Sequence, residues 1–380
     1  MCALQKTSGL RTSHHPWLTK PYSSEINFPV RFHQPYNPYV MGKINTSVIG
    51  YGFAGKSFHS YLVTLVPELE LHSIASRDAA TRERIVAERG CKAVETIQDV
   101  CADPDVDLVI LATPTAVHAD QAIAALNAGK HVVVDKPLTL TMAETDRMIA
   151  AAEANNRILS VFQNRRFDGD YLTCRSIIEN GSIGDVRWLE MAWQGFGPVN
   201  GWRADASQGG GRYWDLGAHL VDQALQFFPE PVASVYARRS YDYADSDTDS
   251  EATIVITFEG GRTAVCDLSG NTAYSKPRFC LHGATGTFVK YGVDPQELAM
   301  IAGSIDGGLE QPESYGKIYT GSSITPVKTQ PGRWRNYYEN IAAAIHGTAP
   351  LAVSMDSVRK SMQVLTAGIE SAETGNVIHF

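Results

Sequence analysis

The stretch VIGYGFAGKSFH, Val48 to His59, places Gly50, Gly52 and Gly55 directly after an apolar run and directly before a helix-like segment. Taken alone, G-x-G-x-x-G reads as a glycine-rich turn or as a cradle for nucleotide phosphates. The surrounding sequence decides between the two. From Ile44 onward, short β-like runs (INTSVIG, LELHSIA, VDLVILA, KHVVVD and RILSVF) alternate with segments of helical spacing, such as 116–128 and 143–156. That alternation is the signature of a parallel sheet built from βαβ units. The glycines therefore close a first strand and open a first helix. In that setting the first glycine permits a tight turn, the second lets a pyrophosphate approach the backbone, and the third lets the helix pack on the strand. The positive end of the helix dipole then faces the phosphates. The expectation is a dinucleotide cradle made by Gly50, Gly52, Phe53, Ala54 and Gly55.

Composition narrows the field. A chain of 380 residues that is 44% hydrophobic and 19% charged suits a soluble protein of two domains. It has no apolar run long enough to span a bilayer. A net charge of −8 argues against broad binding to nucleic acid or to anionic lipid, which leaves small molecules as the expected partners. Six scattered cysteines, with no C-x-x-C pair and no zinc-like His spacing, give no reason to expect a metal and fit a reducing cytoplasm. Residues 1–40 are rich in Pro, Ser, Tyr and His without periodicity and read as a flexible extension. Lys6, Arg11 and Lys20 precede the first acid, Glu25, so a transit peptide is an alternative there. Met41 opens MGKINT, a myristoylation pattern if translation starts at it and otherwise an internal methionine before the first strand.

The expected architecture is α/β. Residues 41–163 form a doubly wound parallel sheet, and residues 164–380 an α+β domain with a large, predominantly antiparallel sheet. Beyond Phe162 the runs DVRWLEMAWQG, PVASVYARRS, EATIVITFEG, GRTAVCDLSG and RFCLHGA read as strands, with EGGR the clearest hairpin. Helical segments are expected over 214–228, 334–346 and 354–374, the last two placed to pack back on the first domain.

The second strand ends in Ser76 and Arg77, where a carboxylate would bind a ribose and a cation would pair with a 2′-phosphate. A hydroxyl beside a guanidinium favours NADP; Asp78 follows at once, so NAD stays open. Thr113, Pro114 and His118 follow another strand, near the expected nicotinamide half, although His118 reads equally as a capping or packing residue. The segment GKHVVVDKP brings Asp135 and Lys136 to the carboxyl end of a parallel strand, where ligands bind in open α/β sheets; the alternative is a surface lysine in a turn. In GGGRYWDLGAHLVDQ, Asp215, His219 and Asp222 stand at i, i+4 and i+7 of one helix face. An N-cap aspartate followed by a packed histidine is the competing reading, and two carboxylates with one histidine make a poor metal site.

Taken in order, G-x-G-x-x-G, ATPTAVHADQAIAALNAGKHVVVDKP, SVFQNRRFDGDYLT and GGGRYWDLGAHLVDQ resemble the Gfo/Idh/MocA family of NAD(P)-dependent oxidoreductases, from about residue 44 to the end. FVKYGVDPQE and NRRFD are most similar to the branch of NADP-dependent scyllo-inositol dehydrogenases. The resemblance implies a Rossmann domain followed by an antiparallel sheet domain, substrate bound between them, and a homodimer or larger oligomer formed through the sheet's open face. It maps the family's catalytic lysine onto Lys136, and its aspartate and histidine four apart onto Asp215 and His219. Asp135 stands where most members carry glutamate. Oxidation of a secondary alcohol on this pattern takes His219 as base, Lys136 as donor to the developing alkoxide, and Asp215 as orienter of substrate or imidazole. Asn164, Arg165, Arg166, Trp202, Arg203 and Tyr291 are further candidates for contact with substrate hydroxyls. An interdomain ion pair is the alternative for either arginine of 165 and 166, an exposed loop anchor for Trp202 and Arg203, and a buried sheet position for Tyr291. The rival functions are a sugar 1-dehydrogenase or carbonyl reductase of the same fold, and a non-catalytic NADP-sensing transcriptional regulator.

Overall fold

The computed structural model describes residues 42–380; the expected extension over 1–40 and Met41 lie outside the described residues. Strands β1 (Ile44–Ile49), β2 (Leu69–Ala75), β3 (Lys92–Val94), β4 (Leu108–Leu111), β5 (His131–Val134) and β6 (Leu159–Val161) form a parallel sheet in the order β3-β2-β1-β4-β5-β6. That is the doubly wound order, with its switch point between β1 and β4. Helices α1 (Ser60–Thr64), α2 (Ala79–Arg89), α3 (Ile97–Ala102), α4 (His118–Asn127) and α5 (Met142–Ala154) provide the crossovers. The Leu-Val-Ile-Leu of β4 is buried along its whole length, as a strand covered on both faces requires. Side chains cap the helices: Asp78 accepts from Thr81 N before α2, and Thr96 with Asp99 makes a capping box before α3.

Helix α6 (Gly169–Glu179) leads into a nine-stranded sheet that contains β7 (Val186–Gln194), β8 (Val232–Ser240), β9 (Glu251–Phe258), β10 (Thr263–Ser269), β11 (Phe279–Gly283), β12 (Thr287–Lys290), β13 (Gly316–Tyr319), β14 (Ile324–Val327) and β15 (Ile378–His379). Its order is β14-β13-β12-β11-β7-β10-β9-β8-β15, and every pairing except β7 with β10 is antiparallel. The hairpin at Glu259–Arg262 joins β9 to β10, with Gly260 and Gly261 at positive φ. Helix α7 (Ala218–Phe227) is buried along most of its length and packs with α10 (Met355–Thr374) against the sheet. Helix α9 (Arg335–Ile345) lies near α1 and α8 (Gln296–Ile301) near the turn at Ala54–His59, while α10 also touches α5 and β6, so the C-terminal helices pack on the Rossmann layer.

Some short elements escape a reading of periodicity. Strand β3 has three residues at a sheet edge, and β13, β14 and β15 carry little continuous apolar pattern. The helices at 54–64 and 213–227 begin with π-helical turns, Ala54–His59 and Tyr213–Gly217. Such turns recur beside functional sites, and these two flank one cleft. Among the described residues, no helix is long and apolar enough to cross a membrane.

Candidate active site

A cleft of about 1200 Å³ opens along the carboxyl ends of β1, β2, β4 and β5 and continues towards β7 and the start of α7. Its floor is the glycine loop. Gly50 has φ of +97°, and a Cβ there would lie 2.6 Å from Ala112 O. A Cβ on Gly55 would meet Gly50 O at 2.1 Å, so that position lies behind the cleft wall and permits the turn to fold onto the helix. Gly52 lines the cleft and has nothing within 4 Å of where its Cβ would be, which leaves backbone open to a ligand. This open backbone at a helix start fits the pyrophosphate of a dinucleotide. Phe53, Ala54, Thr113 and Pro114 complete this part of the wall.

At one end the wall is Ser76, Arg77 and Asp78, faced by Glu95, Thr96, Ile97 and Gln98. The Asp78 carboxylate is committed to Thr81 N at 2.8 Å, and its bonds to Thr81 hold it below the usual carboxylate range. Arg77 is exposed and makes no ion pair among the described residues. Arg82, not singled out from sequence, donates to Ser76 O at 2.8 Å and Arg77 O at 2.9 Å and so fixes this turn.

At the other end the groups are buried and interlocked. Lys136 Nζ donates to Asp215 Oδ1 at 2.7 Å and to Asp215 O at 2.6 Å, while Arg203 Nε donates to Asp215 Oδ2 at 2.7 Å. Burial raises the Asp215 carboxyl, but Lys136 and Arg203 outweigh it and bring its pKa to about 2. His219, lining the cleft and 5% exposed, stacks on Trp193 with ring centroids 5.7 Å apart. Burial, then the charges of Lys136, Arg165 and Arg278, push its pKa well below the ordinary histidine value. The imidazole is therefore neutral at physiological pH, the state a general base requires.

Local structure explains why these groups meet. Gly211, at φ of +97°, lets Asp249 reach the helix start, where its Oδ2 accepts Tyr213 N at 2.7 Å; a Cβ at 211 would lie 2.4 Å from Asp249 Oδ1. That anchor sets the turn carrying Asp215 and His219. Arg165 is clamped between the rings of Trp193 and Trp334, each 4.8 Å from its guanidinium carbon, and pairs with Glu297 at 2.6 Å. Asn164, Trp202 and Arg203 also face the cleft, and the Arg203 guanidinium lies 4.6 Å from the Trp202 ring centre.

Position decides between readings left open by the sequence. His118 is buried behind the wall, with Nε2 2.8 Å from Thr113 O and Nδ1 3.2 Å from Pro137 O and Leu138 O; it braces the cleft from outside. Arg166 is turned away into a bidentate pair with Asp222, at 2.7 and 2.6 Å, because a buried guanidinium needs its counter-charge. Asp222 is thereby occupied, and Asp215 bonds to Lys136 and Arg203 rather than to the His219 ring. Tyr291 is 54% exposed after β12 and does not line the cleft, neither substrate contact nor buried sheet residue. Trp193, Gln208 and Glu297 are wall residues that sequence reasoning missed, since nothing local links them to the motifs.

Comparison with known proteins agrees with this geometry. The model of the oxidoreductase family with an NAD-binding Rossmann fold, GFO_IDH_MocA, matches residues 44–163, and the GFO/IDH/MocA C-terminal domain matches residues 171–289. The chain belongs to the Gfo/Idh/MocA oxidoreductase family. Among its relatives, the uncharacterized oxidoreductase YdgJ of Escherichia coli is 33% identical, over 87% of this chain and 96% of its own. The scyllo-inositol 2-dehydrogenase (NADP(+)) IolW of Bacillus subtilis is 30% identical, over 88% and 95%. The solved structure of an NAD-binding protein from Listeria innocua superposes with a TM-score of 0.77 at 30% identity, covering 89% of this chain and 97% of that one.

Proposed function

We propose that this family member is an NADP-preferring oxidoreductase of the cytoplasm that interconverts a secondary alcohol and a carbonyl on a polyol, cyclitol or sugar. The observation that carries the reading is the buried corner where Lys136, bonded to Asp215, shares the cleft with a neutral His219. When bound, NADP supplies the hydride acceptor, or as NADPH the donor. Gly50, Gly52, Phe53 and Ala54 would hold its phosphates, and Asp135, Thr113 and Pro114 would bound its nicotinamide half.

In the oxidation direction His219 takes the hydroxyl proton. Lys136 donates to the same oxygen as negative charge gathers on it, a contribution worth about two to three orders of magnitude in such sites. Asp215 keeps the ammonium aimed, and Arg203 shares the carboxylate so that both cations are paired. Asn164, Arg165, Trp202 and Arg203 present donors and ring surface to the remaining hydroxyls. At the far end, Arg77 without a carboxylate partner and Asp78 turned into its helix cap leave a cation at the end of β2, where the adenosine ribose would lie; this favours a 2′-phosphate. The relationship to IolW, named for scyllo-inositol and NADP(+), supports both choices. A homodimer formed through the open face of the nine-stranded sheet completes the proposal.

The test is a fluorescence titration with NADPH and NADH, followed by a spectrophotometric screen of inositols, aldoses and simple carbonyls with the tighter cofactor. Preference for NADPH with turnover of a cyclitol or sugar supports the reading. Tight binding without turnover on any of them contradicts it and favours a sensor.

A further inference from the structure

His59 takes no part in the chemistry above, yet its side chain, on the glycine-loop helix, is wholly buried against the turn that carries Lys136. Its ring lies 4.7 Å from Phe162 and 6.2 Å from Tyr338, centre to centre. Nδ1 is 2.6 Å from the Tyr338 hydroxyl, and Nε2 is aimed at Asp135 Oδ2, 3.6 Å away, with no hydrogen-bond partner of its own. The other Asp135 oxygen accepts the backbone N–H of Lys136 at 2.8 Å.

We propose that His59 is the positioning residue of the catalytic turn, its Nε2–H directed at Asp135 so that this carboxylate holds Lys136 in register. The inference rests on the reading of Lys136 as the catalytic donor.

Two independent arguments fix the tautomer. Among the described residues the buried Tyr338 hydroxyl has no hydrogen-bond partner other than His59, so its proton must go to Nδ1 or be orphaned in the core. A ring that accepts at Nδ1 carries its hydrogen at Nε2. Independently, an Nε2 lone pair facing a carboxylate would be repelled, whereas an Nε2–H is attracted. The chain of contacts therefore runs from Tyr338 O–H to Nδ1, from Nε2–H towards Asp135 Oδ2, and from Lys136 N–H to Asp135 Oδ1.

The side chain at 135 makes this support necessary. Aspartate is one methylene shorter than glutamate, and its Oδ2 stops short of hydrogen-bond length from the imidazole. Charge and dipole still act over that gap: burial raises the Asp135 carboxyl, but His59 and Lys136 bring it below its usual range. A carboxylate held ionised on one side of a short turn keeps the Lys136 backbone in place, and a misplacement of about 1 Å at a reacting group costs about a hundredfold in rate.

Asparagine and glutamine separate this role from mere filling of space, because their amides reproduce Nδ1 and Nε2 of histidine, respectively. His59→Gln keeps a donor towards Asp135 and is expected to hold kcat within about threefold of the parent. His59→Asn loses that donor and is expected to drop kcat by about tenfold or more, with NADPH affinity and KM for NADP within about threefold. Equal kcat in both variants, whether unchanged or equally reduced, overturns the proposal. If His59→Asn fails to fold, Asp135→Asn cuts the same link with His59 in place and is expected to show the same loss; full activity there overturns it too. Nitrogen-15 spectra of histidine-labelled protein, with His59 assigned by its disappearance in His59→Gln, give a reading that needs no turnover. An Nε2–H tautomer is expected and an Nδ1–H tautomer refutes the proposal. Absence of turnover in the parent chain contradicts the function proposed above, and the tautomer still decides this one.

Discussion

The two ends of the cleft handle charge in opposite ways. At the adenosine end, Arg77 is exposed and without a carboxylate partner, and its turn is fixed by the Arg82 guanidinium, which donates to the carbonyls of Ser76 and Arg77. At the catalytic end, Lys136 and Asp215 have side chains only 14% and 13% exposed, and with Arg203 they share one set of short bonds. Water screens the first end and is largely excluded from the second. On the function proposed above, selectivity for a cofactor rests on one solvated cation, whereas reactivity rests on groups whose charges are fixed by one another.

Breaking the buried end has the largest expected effect. Lys136→Ala is expected to lower turnover by about a thousandfold while NADPH binding stays within about threefold, measured by steady-state kinetics and fluorescence titration. Normal turnover in the variant refutes the assignment.

The pH profile sharpens the comparison next. Because burial and the neighbouring cations lower the His219 pKa, the base form persists as pH falls through 6.5, and kcat/KM for oxidation is expected to show no inflection from it there. Arg278→Gln removes one of those cations, so the His219 pKa rises and the acid limb moves towards neutral pH. An unmoved limb argues that His219 is not the base.

The open end responds more mildly. Arg77→Ala is expected to weaken NADPH by about tenfold to a hundredfold, the worth of one charge-assisted contact, and NADH by less than threefold. Equal losses for both cofactors show that Arg77 does not read the 2′-phosphate. Smallest of all, Tyr291→Phe is expected to change neither binding nor turnover beyond about twofold, since a half-exposed ring outside the cleft contributes little.

How much of this was legible in the sequence follows the same division. The parallel sheet, the glycine loop and the hairpin at 259–262 are written in local pattern: apolar runs of β length, and glycines where φ is positive or backbones touch. The helix with Asp215 and His219 was visible from spacing, but its partners were not, because the Lys136 to Asp215 bond joins residues far apart in the chain. Arg165 and Arg166 show the limit most clearly. Adjacent and identical in type, one faces the cleft between two indoles and the other is locked onto Asp222; only the packing around α7 and α9 distinguishes them. His118 shows the same limit: position after a strand leaves cleft contact and packing equally open, and the backbone carbonyls around its ring decide for packing. Strand β3, three residues long with an exposed lysine, carries too little pattern to be read at all.

The central claim is direct hydride transfer between substrate carbon and NADP in the cleft bounded by Lys136 and His219. The most direct measurement uses the turned-over cyclitol or sugar deuterated at its carbinol carbon, with mass spectrometry of the NADPH formed. The account requires one deuterium from that carbon in the recovered cofactor, with the transfer lost in Lys136→Ala. Reduced cofactor without the label contradicts it.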